Sequence, residues 1–381
     1  MKALRFERSL PRFAAARIAG TLAPGRGAKV GPLKLVDVDP PALPGPDWHV
    51  VRPRLAGICG SDLATVDGMS SRYFEPIVSF PFVPGHEVVG ELDDGTRVVV
   101  EPVLHCAIRG IDPVCAWCAA GQTNRCERIA FGHLEPGLQT GFCADTGGGW
   151  STAMVAHDAQ IHRVPDDFTD EDAVMVEPTA CCVHAAAAHP GVGLTVVLGS
   201  GTIGLCTIAA LSARDIPSIA AAKHPEQQRL AKSLGATTVC APNELTGVVR
   251  RATATMQNGD QLTGGADHVF DCVGSSASIQ QALQVVAPGG TIHLVGMPST
   301  VHLDLTGLWH REVSITGRYA YTHAEFEHAF EVVRAKQLGR LVSATYPLDR
   351  FTDALQHAAE AGRRGATKIA FDLRSERERN R

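Results

Sequence analysis

The sequence predicts an α/β protein of two parts, a β-rich first part and a parallel sheet with helices on both faces. Three observations predict it. The chain has 381 residues, too many for one ordinary core. Its texture changes after Pro165: before it, short runs are punctuated by Pro and Gly, and after it, apolar strands alternate with helical segments. Third, Val197-Leu198-Gly199-Ser200-Gly201-Thr202-Ile203-Gly204 is a strand running through G-x-G-x-x-G into a helix.

Residues 1–50 close on Asp39-Pro40-Pro41-Ala42-Leu43-Pro44-Gly45-Pro46, a composition that predicts short strands and turns without helices. Strands follow at 49–56 and 97–101, the second led by the turn Asp93-Asp94-Gly95. A helix opens at 170–176, its acidic first turn favoured by the helix dipole. An Ala-rich helix covers 180–189. Strands are then expected at 195–198, 217–222, 268–272 and 291–295, with helices at 203–214, 225–234 and 279–286. Residues 247–265 read as a helix and a loop, and 324–336 and 351–362 as amphipathic helices. The charged tail 375–381 is expected to fray.

Bulk properties exclude several classes of function. A net charge of −5 gives no reason to expect nucleic acid as a partner. No apolar run is long enough for a transmembrane helix, and no long apolar segment follows the N-terminal arginines as a signal peptide would require. The expectation is a cytoplasmic protein. Eleven cysteines are many for such a compartment, and a clustered set there reads as metal before disulfide. Cys143, Cys181, Cys182, Cys206, Cys240 and Cys272 sit among apolar or small residues and read as plain buried thiols.

Two glycine-flanked clusters, Gly57-Ile58-Cys59-Gly60-Ser61-Asp62 and Pro84-Gly85-His86-Glu87-Val88-Val89-Gly90, supply a thiol, an imidazole, a hydroxyl and carboxylates. Cys and His are preferred Zn²⁺ ligands, and a catalytic zinc needs three protein ligands and an open position. Cys106, Cys115, Cys118 and Cys126 could surround a second, closed structural zinc clamping a long loop. The competing reading of Cys115-Ala116-Trp117-Cys118 as a redox pair lacks the helix-opening βαβ context that such motifs have.

In the glycine motif, Gly199 makes the tight turn, Gly201 admits a pyrophosphate, and Gly204 lets the helix pack closely. The helix N-terminus, from Thr202 and Ile203, offers N–H groups to phosphate. The next strand ends Ala220-Ala221-Ala222-Lys223-His224 with no carboxylate for a ribose 2′-hydroxyl. Lys223 or His224 could instead meet a 2′-phosphate, which favours NADP(H) over NAD(H).

Taken together these motifs, with Glu177-Pro178, Asp271-Cys272-Val273-Gly274 and Pro288-Gly289-Gly290-Thr291, resemble the zinc-containing medium-chain dehydrogenase/reductases over nearly the whole chain. The resemblance implies a GroES-like catalytic domain at 1–190 carrying a structural zinc lobe at about 104–128. A Rossmann domain would follow at 191–325, and 326–381 would return to the catalytic domain. It implies Cys59 and His86 as catalytic zinc ligands, Glu177 as the third, and Glu87 coordinating or lying just behind the metal. Asp62 would orient His86, and Ser61 would contact the substrate oxygen and relay its proton. Ile203, Met297 and Tyr319 would line the nicotinamide pocket, with Cys272, Val273, Val295 and Gly296 also at the cofactor. The implied reaction is reversible oxidation of an alcohol to an aldehyde or ketone, with Glu177 tilting the substrate towards polyols, sugars or amino alcohols. A homo-oligomer, dimer or tetramer, is implied as well.

Three features depart from the family pattern. Ala64 stands where a His often passes the proton outward. The first gap of the cysteine lobe is eight residues and not two, which bears on Cys106 as fourth ligand. The segment before Cys59 is long. The rival readings are a zinc-free reductase of activated double bonds and a catalytically silent cofactor-binding relative; zinc content separates all three.

Overall fold

Thr195–Leu198 is fully buried along its length, as a strand covered on both faces must be. It lies at the centre of a six-stranded sheet with Thr238–Cys240, Ser218–Ala221, Thr195–Leu198, Ala266–Asp271, Val286–Leu294 and Ser314–Gly317 in that spatial order, all parallel. Numbered along the chain, this is the 3-2-1-4-5-6 order of a doubly wound dinucleotide-binding sheet. Helices Thr202–Ala213, Pro225–Ser233, Leu245–Thr253 and Ser276–Val285 connect the strands. The 247–265 stretch adds a small hairpin, Gln257–Asn258 with Gln261–Leu262. This computed structural model describes residues 1–298 and 300–375; from 376 onward the charged tail lies outside the described residues. Chain contacts divide the protein into Met1–Glu177 with Tyr321–Arg381, and Pro178–Ala320. The divisions after Glu177 and Ala320 fall about thirteen and about five residues before those expected at 190 and 325, so the Ala-rich helix Val176–Ala187 belongs almost wholly to the second unit.

The first unit is built on a mostly antiparallel seven-stranded sheet. Its order runs Val342–Tyr346, Lys368–Asp372, Trp48–Gly57, Val88–Glu91, Arg97–Val100 and Ile161–Arg163, with Met154–His157 also paired to Trp48–Gly57. Pro53 interrupts the long strand and sits where its register against Val88–Glu91 shifts, the place where a missing N–H is tolerated. Trp150, fully buried, donates from Nε1 to the Gly57 carbonyl at 3.2 Å and meets Phe371 edge-on.

The N-terminal fifty residues correct the expectation of strands and turns alone. Lys2–Phe6 and Leu33–Asp37 do pair antiparallel. Between them lie a helix, Leu10–Leu22, and a helical turn, Gly27–Val30. The helix has Pro11 in its first turn and four alanines inside, both favourable to helix. Averaging over a Pro- and Gly-rich window hid them. Ala16 and Gly20 face inward, and a Cβ at Gly20 would meet Asp67 Cβ at 2.6 Å. Asp67, buried, accepts from Gly25 N at 2.7 Å and Gly27 N at 2.8 Å, which fixes the insertion onto the chain just after the helix Gly60–Val66.

The second unit contains a file of imidazoles. His189 and His268 have ring centroids 4.3 Å apart, and His293 stacks on Phe270 at 4.5 Å. Burial first, then Arg318, holds His293 down at about 3. Burial first, then His268, holds His189 down at about 4. Above the ordinary histidine range both are neutral, folded or unfolded, and pH does not act through them. Below about 6.5 the unfolded chain takes up protons that the folded one refuses, so stability falls until the folded pKa is reached. Each group then contributes a loss of about 2 kcal/mol by about pH 5. Urea unfolding should therefore weaken between neutral pH and about pH 5, and His293→Gln should remove roughly 2 kcal/mol of that difference. An unchanged pH slope in the variant would refute the assignment.

Candidate active site and metal centres

Cys59 lies two residues beyond the strand Trp48–Gly57 and caps the helix Gly60–Val66. Its N–H donates to Asp62 Oδ2 at 3.0 Å, so the first turn of that helix fixes the residue carrying the thiol. His86 and Glu87 lie just before the strand Val88–Glu91, both buried. Gly85 is in the left-handed region at φ +98°, and a Cβ there would meet Trp150 Cδ1 at 2.4 Å. A Cβ at Gly57 would stand 1.9 Å from Glu87 Oε2. The glycines flanking the two motifs are thus spacers that let Cys59, His86 and Glu87 converge.

One ligand atom from each of Cys59, His86 and Glu87 can be chosen so that all lie within 4.8 Å of one another. Glu87 Oε2 accepts from Lys368 Nζ, whose other contact is the Ile58 carbonyl at 3.4 Å. Glu87 Oε1 is buried without a hydrogen-bond partner, as are His86 Nδ1 and Asp62 Oδ1, which face each other at 3.5 Å. Burial alone would lower the His86 imidazole; Asp62 and then Cys59 outweigh it and raise it well above its ordinary value. A half-buried thiol, a buried imidazole and a buried carboxylate oxygen without a hydrogen-bond partner form a donor set that fits one zinc ion.

Glu177 is not among this convergent trio. It opens the helix Val176–Ala187, is buried, and accepts from Tyr321 Oη at 2.9 Å. Burial first, against the nearby His86, pushes its carboxyl up to about 7. Ser61 lies in the first turn of Gly60–Val66, and Ala64 in its second. Two participants, Lys368 and Tyr321, were not legible as site residues. The available signal for Lys368 was a cation opening a strand whose next three residues are the apolar Ile369, Ala370 and Phe371, where a buried charge needs a partner.

The cysteine lobe also closes. Sulfurs of Cys106, Cys115, Cys118 and Cys126 lie within 4.8 Å of one another, and Cys106 Sγ is 3.6 Å from Cys126 Sγ. The eight-residue gap folds into a turn, with Ile111 N donating to the Cys106 carbonyl at 3.0 Å, so Cys115 returns to Cys106. Arg109, fully buried, pins this turn by donating to the carbonyls of Leu104, Phe131, Leu134, Glu135 and Gly137. Burial first, with Cys106 alongside, pushes the Cys126 thiol up to about 11. Four crowded sulfurs of this kind fit a tetrahedral Zn²⁺, which would take them as thiolates.

In the second unit, Gly199 has φ +83° and Gly201 has open space where a Cβ would point. A Cβ at Gly204 would stand 1.9 Å from the Gly199 carbonyl oxygen, so the helix Thr202–Ala213 can pack here only on glycine. The motif leaves Thr195–Leu198 beside Ala266–Asp271, where the strand order reverses and dinucleotides bind. Asp271, buried, accepts from Val273 N at 2.9 Å and Gly274 N at 3.2 Å, and its carbonyl accepts from the N–H groups of Val295 and Gly296. Cys272, Val273, Val295, Gly296 and Met297 therefore gather at the ends of neighbouring strands. Ile203 is half-buried at the start of the motif helix, and Tyr319 is exposed. Ala222 is buried, Lys223 exposed, and His224 caps the helix Pro225–Ser233.

Family models match at two places: "Alcohol dehydrogenase GroES-like domain" over residues 45–166 and "Zinc-binding dehydrogenase" over residues 202–335. A "Probable zinc-binding alcohol dehydrogenase" of Mycobacterium tuberculosis is 30% identical over 356 residues, covering 88% of this chain and 84% of that protein. The chain belongs to the zinc-dependent medium-chain dehydrogenase/reductases. Other relatives in this family are L-idonate 5-dehydrogenase of Vitis vinifera, 29% identical across 90% of this chain and 93% of its own. Sorbitol dehydrogenase of Bacillus subtilis is 29% identical across 84% and 89%. Among solved structures, 2R,3R-butanediol dehydrogenase from Bacillus subtilis shares the fold with TM-score 0.71 at 21% identity, covering 97% of this chain and 99% of that one. A Sinorhizobium meliloti 1021 protein solved bound to NADP does so with TM-score 0.73 at 22% identity, covering 97% and 98%. As a medium-chain dehydrogenase the protein is an oxidoreductase that uses zinc and a nicotinamide cofactor to interconvert an alcohol and its carbonyl compound. Among the described residues no helix is long and apolar enough to cross a membrane.

Proposed function

We propose that the protein oxidises an alcohol of the polyol, sugar or amino-alcohol type, preferring NADP⁺, with one catalytic and one structural zinc per chain. The observation that carries the reading is the convergence of half-buried Cys59 with buried His86 and Glu87, with Glu87 Oε1 left unpartnered. These three would hold the catalytic zinc, with Glu177 standing by as a further carboxylate. Cys106, Cys115, Cys118 and Cys126 would hold the structural ion. When bound, the catalytic zinc supplies a Lewis acid that lowers the pKa of an alcohol, and the nicotinamide supplies the hydride acceptor. Ser61 would relay the hydroxyl proton, accepting it while passing its own proton outward as the carbonyl forms. Asp62 fixes the position of His86, and Lys368 holds Glu87 against the cluster. Tyr321 fixes one oxygen of Glu177 and so limits which way that carboxylate can swing. The substrate class is supported by two carboxylates at the site and by the names of the idonate and sorbitol relatives.

A screen of polyols, sugars, amino alcohols and simple alcohols, run separately with NAD⁺ and NADP⁺, tests the reading through the absorbance of the reduced cofactor. Faster oxidation of polyols with NADP⁺ is expected; turnover confined to simple alcohols, or none, would overturn it. Lys223→Ala should raise KM for NADP⁺ roughly tenfold, the loss of one charged contact to a phosphate, while leaving NAD⁺ nearly unchanged. Equal effects on both cofactors would remove Lys223 from the 2′-phosphate site.

A further inference from the structure

Glu101, His162 and His323 form a cluster that the dehydrogenase reaction does not use. Glu101 follows the strand Arg97–Val100, His162 is the middle residue of Ile161–Arg163, and His323 opens the helix His323–Lys336. Glu101 Oε2 lies 3.0 Å from His162 Nε2 and 3.0 Å from His323 Nδ1. The three residues' ligand atoms all fall within 4.8 Å of one another. Zinc bonds of about 2.0–2.1 Å to a tetrahedral shell separate ligand atoms by roughly 3.3 Å, so a cation would fit after small side-chain shifts. Glu101 and His162 are buried, with side chains 2% exposed, whereas the His323 side chain is 62% exposed and gives an ion a way in.

The hydrogen bonding sharpens the case. Glu327, one turn beyond His323 on the same helix, contacts His162 Nδ1. If that nitrogen carries the proton of a neutral imidazole, Nε2 is left as an acceptor facing another acceptor, Glu101 Oε2. Something positive must lie between them: either a second proton on the ring or a metal ion. Burial opposes the charged ring, although Glu101 and Glu327 outweigh it. A carboxylate behind a metal-bound imidazole is the usual way its tautomer and orientation are fixed.

We propose that Glu101, His162 and His323 bind a further divalent cation of the Zn²⁺ class, with Glu327 orienting His162 from behind. Two imidazoles and one carboxylate suit Zn²⁺ and leave a position open for water. The ion would fasten the start of His323–Lys336 to two strands of the first unit's sheet. Tyr321, two residues before His323, would be steadied where it donates to Glu177.

The test compares wild-type protein with His323→Ala, each saturated with Zn²⁺, freed of excess by gel filtration and analysed for metal. Wild type should hold about one equivalent more than the variant, whatever the other two centres hold. Cobalt in that extra equivalent should show ligand-field bands without thiolate charge transfer. Glu327→Gln should keep the equivalent but weaken its affinity roughly 10- to 100-fold. Equal metal content in wild type and His323→Ala would overturn the proposal and leave a protonated His162 in its place. So would an extra cobalt equivalent with thiolate charge transfer.

Discussion

Cys59→Ser is expected to lower alcohol oxidation by roughly 10³-fold or more while nicotinamide binding survives. A Lewis acid at the reacting oxygen contributes several kcal/mol, and each 1.36 kcal/mol is a factor of ten in rate. Serine keeps the small side chain at the cap of Gly60–Val66 but replaces a soft thiolate by a hydroxyl that binds zinc poorly. Zinc content should fall by one equivalent per chain, with the four-cysteine lobe still loaded. Cofactor affinity, measured by fluorescence of the reduced nicotinamide, should stay within about twofold, because the glycine motif belongs to the other unit. The two readouts together separate a lost metal from a lost fold. Alcohol oxidation at near wild-type rate in the variant would remove Cys59 from the mechanism, and with it the proposal that zinc activates the substrate there.

The parallel sheet was legible because its signals are local. The 195–198 and 225–234 segments carry their own period and their own stops, and the glycine motif names its turn. The β-rich unit was less legible. Its strands pair across the chain, as Lys368–Asp372 does with Trp48–Gly57, and no local pattern encodes such a partner. The helix Leu10–Leu22 was missed because a Pro that begins a helix looks, in composition alone, like one that breaks it. At the site, residue types that bind metal announced themselves. The eight-residue gap before Cys115 did not reveal that it folds back on a buried arginine, since Arg109 finds its carbonyls as far away as Gly137. Residues that act through another side chain were silent for a similar reason. Tyr321 touches the site through Glu177, and Lys368 through Glu87.

Lys368→Met probes that silent layer directly. Lys368 and Glu87 are 2% and 1% exposed, so the pair has no water to fall back on. Burial alone would lower the lysine's pKa; Glu87, then Cys59, reverse this and raise it. Methionine preserves the volume of the stem and removes the charge, stranding a buried carboxylate. Breaking one side of such a pair destabilises by about 3–5 kcal/mol. A bound zinc would offer Glu87 a second positive partner through Oε1, the oxygen that Lys368 does not hold. The loss should therefore be larger in zinc-stripped protein than in loaded protein, a difference that denaturant unfolding with and without chelator measures. Adding Glu87→Gln to Lys368→Met should recover most of the stability of the stripped protein, because the stranded charge is gone. It should not recover zinc affinity, because the same change removes a ligand or its support. If Lys368→Met loses the same stability relative to wild type with and without zinc, Glu87 does not face the metal, and Glu177 takes its place as the third ligand.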